Sequence, residues 1–268
     1  MTTARVGWVR PGRAGQNGRG RPGAAGRYRG GPRPPRGAEG EERVGGVQHE
    51  LEVLASPDLV AHTAAGYVQR QAMAAVAERG HFSFAVSGGQ TPWAMFAELA
   101  RMDMPWSQLT LYQVDERAAP DGDPDRNLTH LHDTLGDIKA GIVAMPVTKP
   151  DLDAAAAGYA SLLPERFDLV HLGLGPDGHT ASLVPGDPVL DVTERLVAVT
   201  GTYQGHRRMT LTYPALARAG QIMWLVAGAD KREPLARLLA GDRSIPAGRV
   251  EAGASLVLAD TAAAPPAA

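Results

Sequence analysis

One histidine follows a strand-like apolar run, at a position where residues that act on ligands are common. Residues 169–174 are almost entirely apolar, and the glycine-containing turn at residues 175–178 ends the run directly before His179. Ligands of open α/β sheets bind at the carboxyl ends of the strands, and an imidazole there titrates near neutral pH. We therefore interpret His179 as a titrating group beside a substrate; a turn histidine with a satisfied ring is the alternative.

The loop after the first predicted strand is rich in glycine. Its sequence is Ser-Gly-Gly-Gln-Thr-Pro over residues 87–92, and a predicted helix follows it. Glycines let backbone N–H groups approach an anion, and the positive end of the helix dipole adds to the attraction. We predict a phosphate cradle at Ser87, Gly88, Gly89 and Thr91, with a plain tight turn as the alternative. The loop lacks the Lys-Ser/Thr of a Walker motif and the spacing of a dinucleotide fingerprint.

Charged and amide side chains follow several other predicted strands. Asp115, Glu116 and Arg117 come directly after an apolar segment, where carboxylates can orient a sugar and a guanidinium can bind its phosphate. Because parallel strands end at one edge of a sheet, more residues are expected in the same site, namely Asn127, Arg208 and Lys231. Lys231 opens a predicted helix, where a cation is unfavourable unless an anion joins it. A solvated charge cluster and a lysine lying along a helix surface remain the alternatives.

Alternating strand and helix patterns predict how these residues are brought together. A helix with a sound N-terminal signal, Ser-Pro-Asp at residues 56–58, precedes the first predicted strand. Strands are predicted at residues 82–86, 110–114, 168–174, 196–199, 209–212 and 222–226, and helices at 59–77, 92–101, 126–135, 153–163 and 231–240. This order indicates an α/β fold with a doubly wound, mostly parallel, Rossmann-like sheet covered by helices on both faces.

The composition permits one α/β domain and excludes several other classes. The chain has 268 residues, 44% of them hydrophobic, and 27 Lys and Arg against 29 Asp and Glu give a net charge of −2, which says little about partners. No stretch approaches the ~18 apolar residues of a membrane span. The absence of cysteine excludes disulfides and thiolate chemistry, and the cytoplasm is the expected compartment. His130 and His132 have no evident third ligand, so no metal is predicted.

The first 46 residues differ from the remainder. Gly, Pro and Arg dominate residues 1–46, so a disordered arm is expected before a single domain over residues 47–260 and a flexible tail over residues 261–268. We interpret the arm as a dispensable tail or as upstream sequence from a wrongly assigned start. An arm that contacts nucleic-acid phosphates is the alternative, but the single Tyr28 offers little stacking, so nucleic acid is not expected as a partner.

Four motifs carry a resemblance to a known family. They are Ser-Gly-Gly-Gln-Thr-Pro at residues 87–92, Asp-Glu-Arg at 115–117, Gly-Leu-Gly-Pro-Asp-Gly-His-Thr-Ala-Ser-Leu-Val-Pro-Gly at 173–186 and Gly-Ala-Asp-Lys at 228–231. Over about residues 50–258 the chain resembles the glucosamine-6-phosphate isomerase/6-phosphogluconolactonase family. It is similar to the lactonases in having Arg117 after Asp-Glu and Thr-Ala-Ser-Leu after His179. The deaminases usually have an aromatic residue and a Gly-His-Ile-Ala-Phe type of segment there.

The resemblance implies hydrolysis of 6-phospho-D-glucono-1,5-lactone in the pentose phosphate pathway. It makes His179 the general base that activates water, without a covalent intermediate, and puts Arg117 and Lys231 near the phosphate. Asp177 or a backbone carbonyl is expected to fix the tautomer of the ring, and amides of residues 88–89 or 175–178 to stabilise the oxyanion. No cofactor is expected, the partner is the sugar-phosphate lactone, and the protein is expected to be a monomer or homodimer.

Two departures from the family pattern are visible. Arg126 stands where the family often has serine, which is expected to add charge to a substrate contact, and Val184 replaces a phenylalanine, which alters apolar packing only.

Two alternatives to the lactonase function stay open. One is a deaminase or isomerase in which Asp115 or Glu116 removes a carbon-bound proton, and the other is a non-catalytic sugar-phosphate binding protein.

Overall fold

The computed structural model describes residues 48–266; the predicted arm at residues 1–46 and residues 267–268 of the predicted tail lie outside this range. The strands are β1 (His49–Leu54), β2 (Phe82–Val86), β3 (Leu109–Gln113), β4 (Asp115–Arg117), β5 (Gly141–Val143), β6 (Leu169–Gly173), β7 (Val197–Tyr203), β8 (His206–Leu211), β9 (Ile222–Val226) and β10 (Ser255–Asp260). The α-helices are α1 (Pro57–Arg79), α2 (Gln90–Leu99), α3 (Asn127–Leu135), α4 (Leu152–Ala160), α5 (Tyr213–Leu216) and α6 (Arg232–Leu239). Short 3-10 turns lie at Trp106–Gln108, Pro188–Asp191, Ala229–Lys231 and Ala247–Arg249.

Seven strands form one parallel sheet in the order β1-β10-β9-β6-β2-β3-β5. From β2 the chain proceeds outward to β3 and β5, and from β6 it proceeds in the opposite direction to β9 and β10. The direction therefore reverses between β2 and β6, and the crevice beyond the carboxyl ends of two such strands is the usual ligand site of a doubly wound sheet. The predicted fold class is confirmed.

Helices cover both faces of this sheet, and each face has its own core. Alternate residues of a strand point to opposite faces, so Phe84 and Leu169 pack with α1, α2 and α3, whereas Ala85 and Val170 pack with α4, α5 and α6. The ends of α1 follow the predicted signals. Ser56 accepts the N–H of Leu59 through its hydroxyl at 3.3 Å, and Gly80 ends the helix in the left-handed conformation. Within residues 48–266, no helix is both long and apolar enough to cross a membrane.

Strand β1 corrects the prediction that the first element is a helix. Polar and apolar residues alternate over Glu-Leu-Glu-Val at residues 50–53, as expected of a partly exposed strand, and β1 forms an edge of the sheet. Strands β5 and β10 were also not predicted. At the other end of the domain, Ala263 is buried and its N–H donates to Asp260 at 2.8 Å, so packed structure continues past residue 260.

A second, antiparallel sheet in the order β4-β8-β7 is the larger difference from the prediction. Residues 115–117, predicted as loop, form β4, and the two short strands predicted near residues 196–212 form a hairpin with each other. Strand β4 is only three residues long and gains its regular structure from pairing with β8, a distant segment that local sequence patterns do not reveal. This small sheet carries part of the site described next.

Candidate active site

A cleft of about 400 Å3 opens beyond the carboxyl ends of β2 and β6. It lies where the strand order reverses, as the position of the motifs predicted. His179 and all the residues predicted to contact substrate line it, namely Ser87, Gly88, Gly89, Thr91, Asp115, Arg117, Asn127, Arg208 and Lys231. The remaining predicted site residue, Asp177, contacts the ring of His179. The structure therefore brings the whole predicted set into one region.

His179 and Asp177 form a hydrogen-bonded pair. Oδ1 of Asp177 lies 2.5 Å from Nδ1 of His179 and accepts the backbone N–H of His179 at 3.1 Å. Burial alone would raise the pKa of Asp177, but these hydrogen bonds and the charge of His179 outweigh it and hold that pKa below its ordinary value. A carboxylate at Nδ1 favours the tautomer that carries its proton there, so Nε2 is the basic nitrogen of the ring.

Gly175 makes room for this ring. A Cβ atom added at Gly175 would lie 2.0 Å from Nδ1 of His179, far inside van der Waals contact. The N–H of Gly175 donates to the carbonyl of His179 at 2.8 Å, and the N–H of Gly178 donates to the carbonyl of Gly175 at 3.0 Å. The turn predicted before His179 thus fixes the histidine backbone and leaves space for the side chain only because residue 175 is glycine.

The loop at residues 87–92 is attached to the sheet through His171, a residue of β6. The N–H of Ser87 donates to Nδ1 of His171 at 3.2 Å, and its hydroxyl donates to the His171 carbonyl at 3.0 Å. Within the described chain, the N–H groups of Gly88 and Gly89 donate to no protein acceptor, so they are available to an anion in the cleft. A Cβ at Gly88 would meet Oδ1 of Asn127 at 2.0 Å, which explains the glycine at that position.

Arg117 and Arg208 lie directly opposite each other on β4 and β8. Two like charges in this arrangement destabilise a sheet unless an anion lies between or beside them. Burial lowers the pKa of Arg208; the carboxylate of Asp115 opposes this shift, and the charge of Arg117 adds to it. Arg208 is 4% exposed, and its Nε has no hydrogen-bond partner in the described structure. This pair has the chemistry of a site for a phosphate-sized anion.

The two acidic residues of the Asp-Glu-Arg motif have different environments. Glu116 is fully buried and accepts four hydrogen bonds, from the side-chain amide of Gln113 and from the N–H groups of Arg117, Asn127 and Leu128. It therefore holds the start of α3. Asp115 lines the cleft, accepts the hydroxyl of Ser182 at 2.6 Å, and keeps the amide of Asn127 within 3.4 Å. Of the two, Asp115 alone is in a position to meet a ligand.

Two cations near the cleft depart from the sequence argument. Lys231 lines the cleft at the start of α6, but the anion beside it is its own neighbour, since Nζ lies 2.9 Å from the carboxylate of Asp230. Arg126 does not add charge to a substrate contact. Its side chain is 3% exposed and pairs with Glu116 at 3.2 Å and with Asp121 at 2.8 Å.

Four residues that support the site were not predicted from the sequence. His171 anchors the Ser87 loop, and Ser182 holds Asp115. Tyr203 contacts the His179 ring, and Gln204 contacts the Arg208 guanidinium. Ser182 lies inside the recognised motif at residues 173–186. His171 lies within the apolar run that predicted β6, and a lone polar residue in a buried strand was the signal that could have revealed it.

Comparison with known proteins connects this cleft to a family. The model of the family described as glucosamine-6-phosphate isomerases/6-phosphogluconolactonase matches residues 55–258. A 6-phosphogluconolactonase of Synechocystis sp. is 35% identical over 205 residues, which are 71% of this chain and 85% of that protein. One from Streptomyces coelicolor is 35% identical over 231 residues, 77% of this chain and 87% of that protein. The structure of a 6-phosphogluconolactonase from Shewanella baltica has a TM-score of 0.72 and 25% identity, and covers 80% of this chain and 98% of its own.

A doubly wound sheet with a histidine–carboxylate pair and an arginine pair in one cleft is typical of α/β enzymes that act on anionic substrates. The chain belongs to the glucosamine-6-phosphate isomerase/6-phosphogluconolactonase family, since the matched residues cover most of its length. The resemblance that the four motifs indicated is thereby confirmed.

Proposed function

We propose that the protein hydrolyses 6-phospho-D-glucono-1,5-lactone to 6-phospho-D-gluconate. One observation carries the proposal: the His179 ring, held at Nδ1 by Asp177 at 2.5 Å, shares a cleft with the opposed Arg117 and Arg208. A lactone with a phosphate at its far end needs a base at the carbonyl and cations at the phosphate. The relatives that are 6-phosphogluconolactonases support the choice of substrate.

In the proposed reaction, a water oxygen attacks the lactone carbonyl carbon while Nε2 of His179 takes a proton from that water. The bond between the carbonyl carbon and the ring oxygen then breaks, and the ring oxygen leaves with the proton that Nε2 returns to it. No covalent intermediate is required. The carboxylate of Asp177 keeps Nδ1 protonated and stabilises the imidazolium formed between the two steps.

The negative charge that develops on the carbonyl oxygen needs hydrogen-bond donors. Of the two groups of amides considered from the sequence, those of Gly175 and Gly178 already donate within their own turn. We therefore propose that the amides of Gly88 and Gly89 stabilise the oxyanion, and that Arg117 and Arg208 bind the phosphate. Binding the phosphate at a distance holds the carbonyl at the base.

Replacing the base tests the mechanism. His179→Ala is expected to lower kcat by about 10²–10⁴ with little change in KM, because the residue acts only when the proton moves. Asp177→Asn is the matched second variant, since it keeps the shape of the side chain but no longer fixes the tautomer. Both are measured with 6-phosphogluconolactone at saturating concentration, corrected for spontaneous hydrolysis. An H179A enzyme that keeps most of its turnover removes His179 from the mechanism.

Replacing a cation tests the phosphate site. Arg117→Ala is expected to reduce kcat/KM for the phosphorylated lactone far more than for unphosphorylated gluconolactone. An equal loss with both substrates contradicts a phosphate-binding role for the Arg117 guanidinium.

The surroundings of Glu116 weaken one form of the deaminase alternative, in which Glu116 removes the proton; Asp115, which lines the cleft, stays available for that role. Four hydrogen bonds and an ion pair with Arg126 occupy the Glu116 carboxylate, which leaves it poorly suited to remove a proton from carbon. Ammonia release from glucosamine 6-phosphate tests this alternative directly. Binding of a sugar phosphate without turnover would favour the non-catalytic alternative.

We further propose that the catalytic domain predicted over residues 47–260 begins at residue 47 and extends past residue 260 to include the buried Ala263, in line with the family match over residues 55–258. A chain starting at residue 47 is then expected to keep full lactonase activity. Neither this chain nor the full-length protein is expected to bind nucleic acid. A cytoplasmic location agrees with the cysteine-free composition. The protein is expected to be a monomer or a homodimer, and native mass spectrometry distinguishes the two.

A further inference from the structure

The hairpin between β7 and β8 reaches the cleft with a strained turn. Tyr203 pairs with His206, and between them Gln204 and Gly205 have φ angles of +50° and +87°. Positive φ at both central residues is typical of a type I′ turn, where asparagine is usual at the first position. Gln204 adopts this conformation against its own preference, and its side chain lines the cleft. Strain beside a ligand site points to a function for residues 203–206, which we call the hairpin tip.

Tyr203 lies between the proposed base and the proposed phosphate site. Its hydroxyl is 3.4 Å from Oδ2 of Asp177, the carboxylate oxygen that His179 does not use. Its ring meets the His179 ring edge-on, with 5.5 Å between the centroids. On the other side, the guanidinium of Arg208 lies over the same ring, 5.0 Å from its centroid. One side chain thus touches the histidine, its carboxylate partner and the buried arginine.

Two further contacts fix the hairpin tip beside the arginine pair. Oε1 of Gln204 accepts a hydrogen bond from Nη2 of Arg208 at 3.1 Å. Nε2 of His206 lies 3.1 Å from the carboxylate of Asp125, and the carbonyl of Asp125 accepts a hydrogen bond from Nη1 of Arg117 at 2.8 Å. The tip is therefore connected to both arginines, and through Tyr203 to Asp177.

We propose that Tyr203 is a positioning residue that couples an anion bound at Arg208 to the orientation of the His179 base. The inference rests on the proposed lactonase function and goes beyond it, because it gives the phosphate a part in the chemical step as well as in binding. An anion on the outer edge of Arg208 holds the guanidinium flat against the Tyr203 ring. The fixed ring then keeps its hydroxyl on Asp177, and Asp177 keeps Nδ1 of His179 in place.

The proposed coupling acts on kcat, whereas a role of Tyr203 in phosphate affinity alone would act on KM. When the substrate carries no phosphate, Gln204 and the Tyr203 ring still hold Arg208, but no anion adds to that restraint, so the contribution of Tyr203 to turnover is smaller. When the phosphate is present, that contribution appears in kcat at saturating substrate. Interactions with a remote part of the substrate commonly act in this way on the reacting centre.

Two substitutions and one control test this. Tyr203→Leu removes ring and hydroxyl, and is expected to lower kcat for 6-phosphogluconolactone by about 5- to 50-fold, from the loss of one cation–π contact and one hydrogen bond. Its kcat for unphosphorylated gluconolactone is expected to fall by a smaller factor than its kcat for the phosphorylated lactone, because no anion adds to the restraint on Arg208. Tyr203→Phe keeps the ring and is expected to lose about 2- to 10-fold with the phosphorylated substrate. Thr202→Ala, an exposed change on the same hairpin, is the control and should leave both values unchanged.

A measurement without turnover tests the same coupling. Inorganic phosphate is added to the full-length protein while the ring signals of His179 are followed by NMR, after assignment by their loss in H179N. In the wild type these signals are expected to shift as phosphate saturates. In Y203L they should shift much less, although phosphate still binds.

The outcomes separate this inference from the proposed function. If kcat of Y203L is lower than that of the wild type by the same factor for both lactones, the coupling is overturned and the lactonase proposal is left intact. A wild type that hydrolyses neither lactone overturns the proposed function, and the NMR titration then decides the coupling alone. The coupling is overturned if the His179 signals of the wild type do not shift when phosphate is added. It is also overturned if they shift equally in Y203L.

Discussion

The buried imidazole of His171 offers a quantitative test of how the Ser87 loop is held. His171 is completely buried in β6, and its Nδ1 accepts the N–H of Ser87 at 3.2 Å. Its Nε2 has no hydrogen-bond partner within the described structure. Burial lowers the pKa of His171 from 6.5 to about 3, because a charge there would lose its hydration. The imidazole is thus a neutral acceptor that anchors the loop.

The lowered pKa sets the sign of a stability effect. In the unfolded chain His171 takes up a proton as pH falls through about 6.5, whereas the folded protein does not until about pH 3. Between these values the unfolded state binds one more proton, so the free energy of unfolding falls as pH falls. From about pH 7.5 to about pH 4.5 this one residue accounts for a loss of about 2–3 kcal/mol. The figure does not depend on the lower pKa as long as that value stays below pH 4.5.

His171→Asn removes the titrating ring but keeps an oxygen near the position of Nδ1 to accept the Ser87 N–H. The variant is expected to be less stable near pH 7.5, since the smaller side chain leaves a cavity. The stability gap to the wild type should then narrow by about 2–3 kcal/mol as pH is lowered to about 4.5, measured by urea unfolding across the range. His81→Asn, which removes an exposed imidazole, is the control. If the free energies of unfolding of H171N and the wild type change in parallel with pH, the pKa of His171 is not lowered in the folded protein, and the stability argument is refuted.

Three further substitutions have defined outcomes. Gly175→Ala puts a methyl group where the His179 ring lies, so kcat should fall by about 10²-fold; unchanged kcat in a steady-state assay would mean that the ring does not need this position. Asparagine suits the left-handed conformation better than glutamine, so Gln204→Asn is expected to raise the free energy of unfolding by about 0.5–1 kcal/mol. Its KM for the phosphorylated lactone should increase, because the contact with Arg208 is altered. A lower Tm than that of the wild type would contradict the stability prediction. Glu116→Gln leaves the Arg126 charge poorly compensated and should cost about 3–5 kcal/mol in urea unfolding; a stable but inactive variant would instead support a catalytic carboxylate.

Local sequence patterns predicted the centre of the fold better than its edges. Strands β2, β6 and β9 are largely apolar runs bounded by turn residues, and their identification, together with the strand predicted at residues 110–114, was sufficient to derive a parallel α/β sheet. The alternation in β1 and the apolar run of β10 carried usable signals that the sequence argument passed over. The three-residue β4 has no such signal, because it is defined by hydrogen bonds to β8 from a segment about ninety residues later.

The candidate site was predictable where one short motif holds both the reactive residue and its turn. His179 and Asp177 are two residues apart, and the strand before them fixes their place. The supporting residues were not predictable, because each acts through a distant partner. Ser87 and His171 are 84 residues apart, and Tyr203 is 26 residues from Asp177. Tyrosine in a polar hairpin gives no indication of its function until the hairpin is seen beside the cleft.

The division of the cleft between two sheets has a consequence for how such an enzyme can change. His179 follows a strand of the parallel sheet, whereas Arg117 and Arg208 belong to the small antiparallel one. In the proposed mechanism, the residues that select the substrate and the residue that moves the proton therefore belong to two different sheets. Changing the exposed residues of the β7–β8 hairpin while keeping Tyr203 should alter which acyl compounds are accepted and leave the His179–Asp177 pair in place.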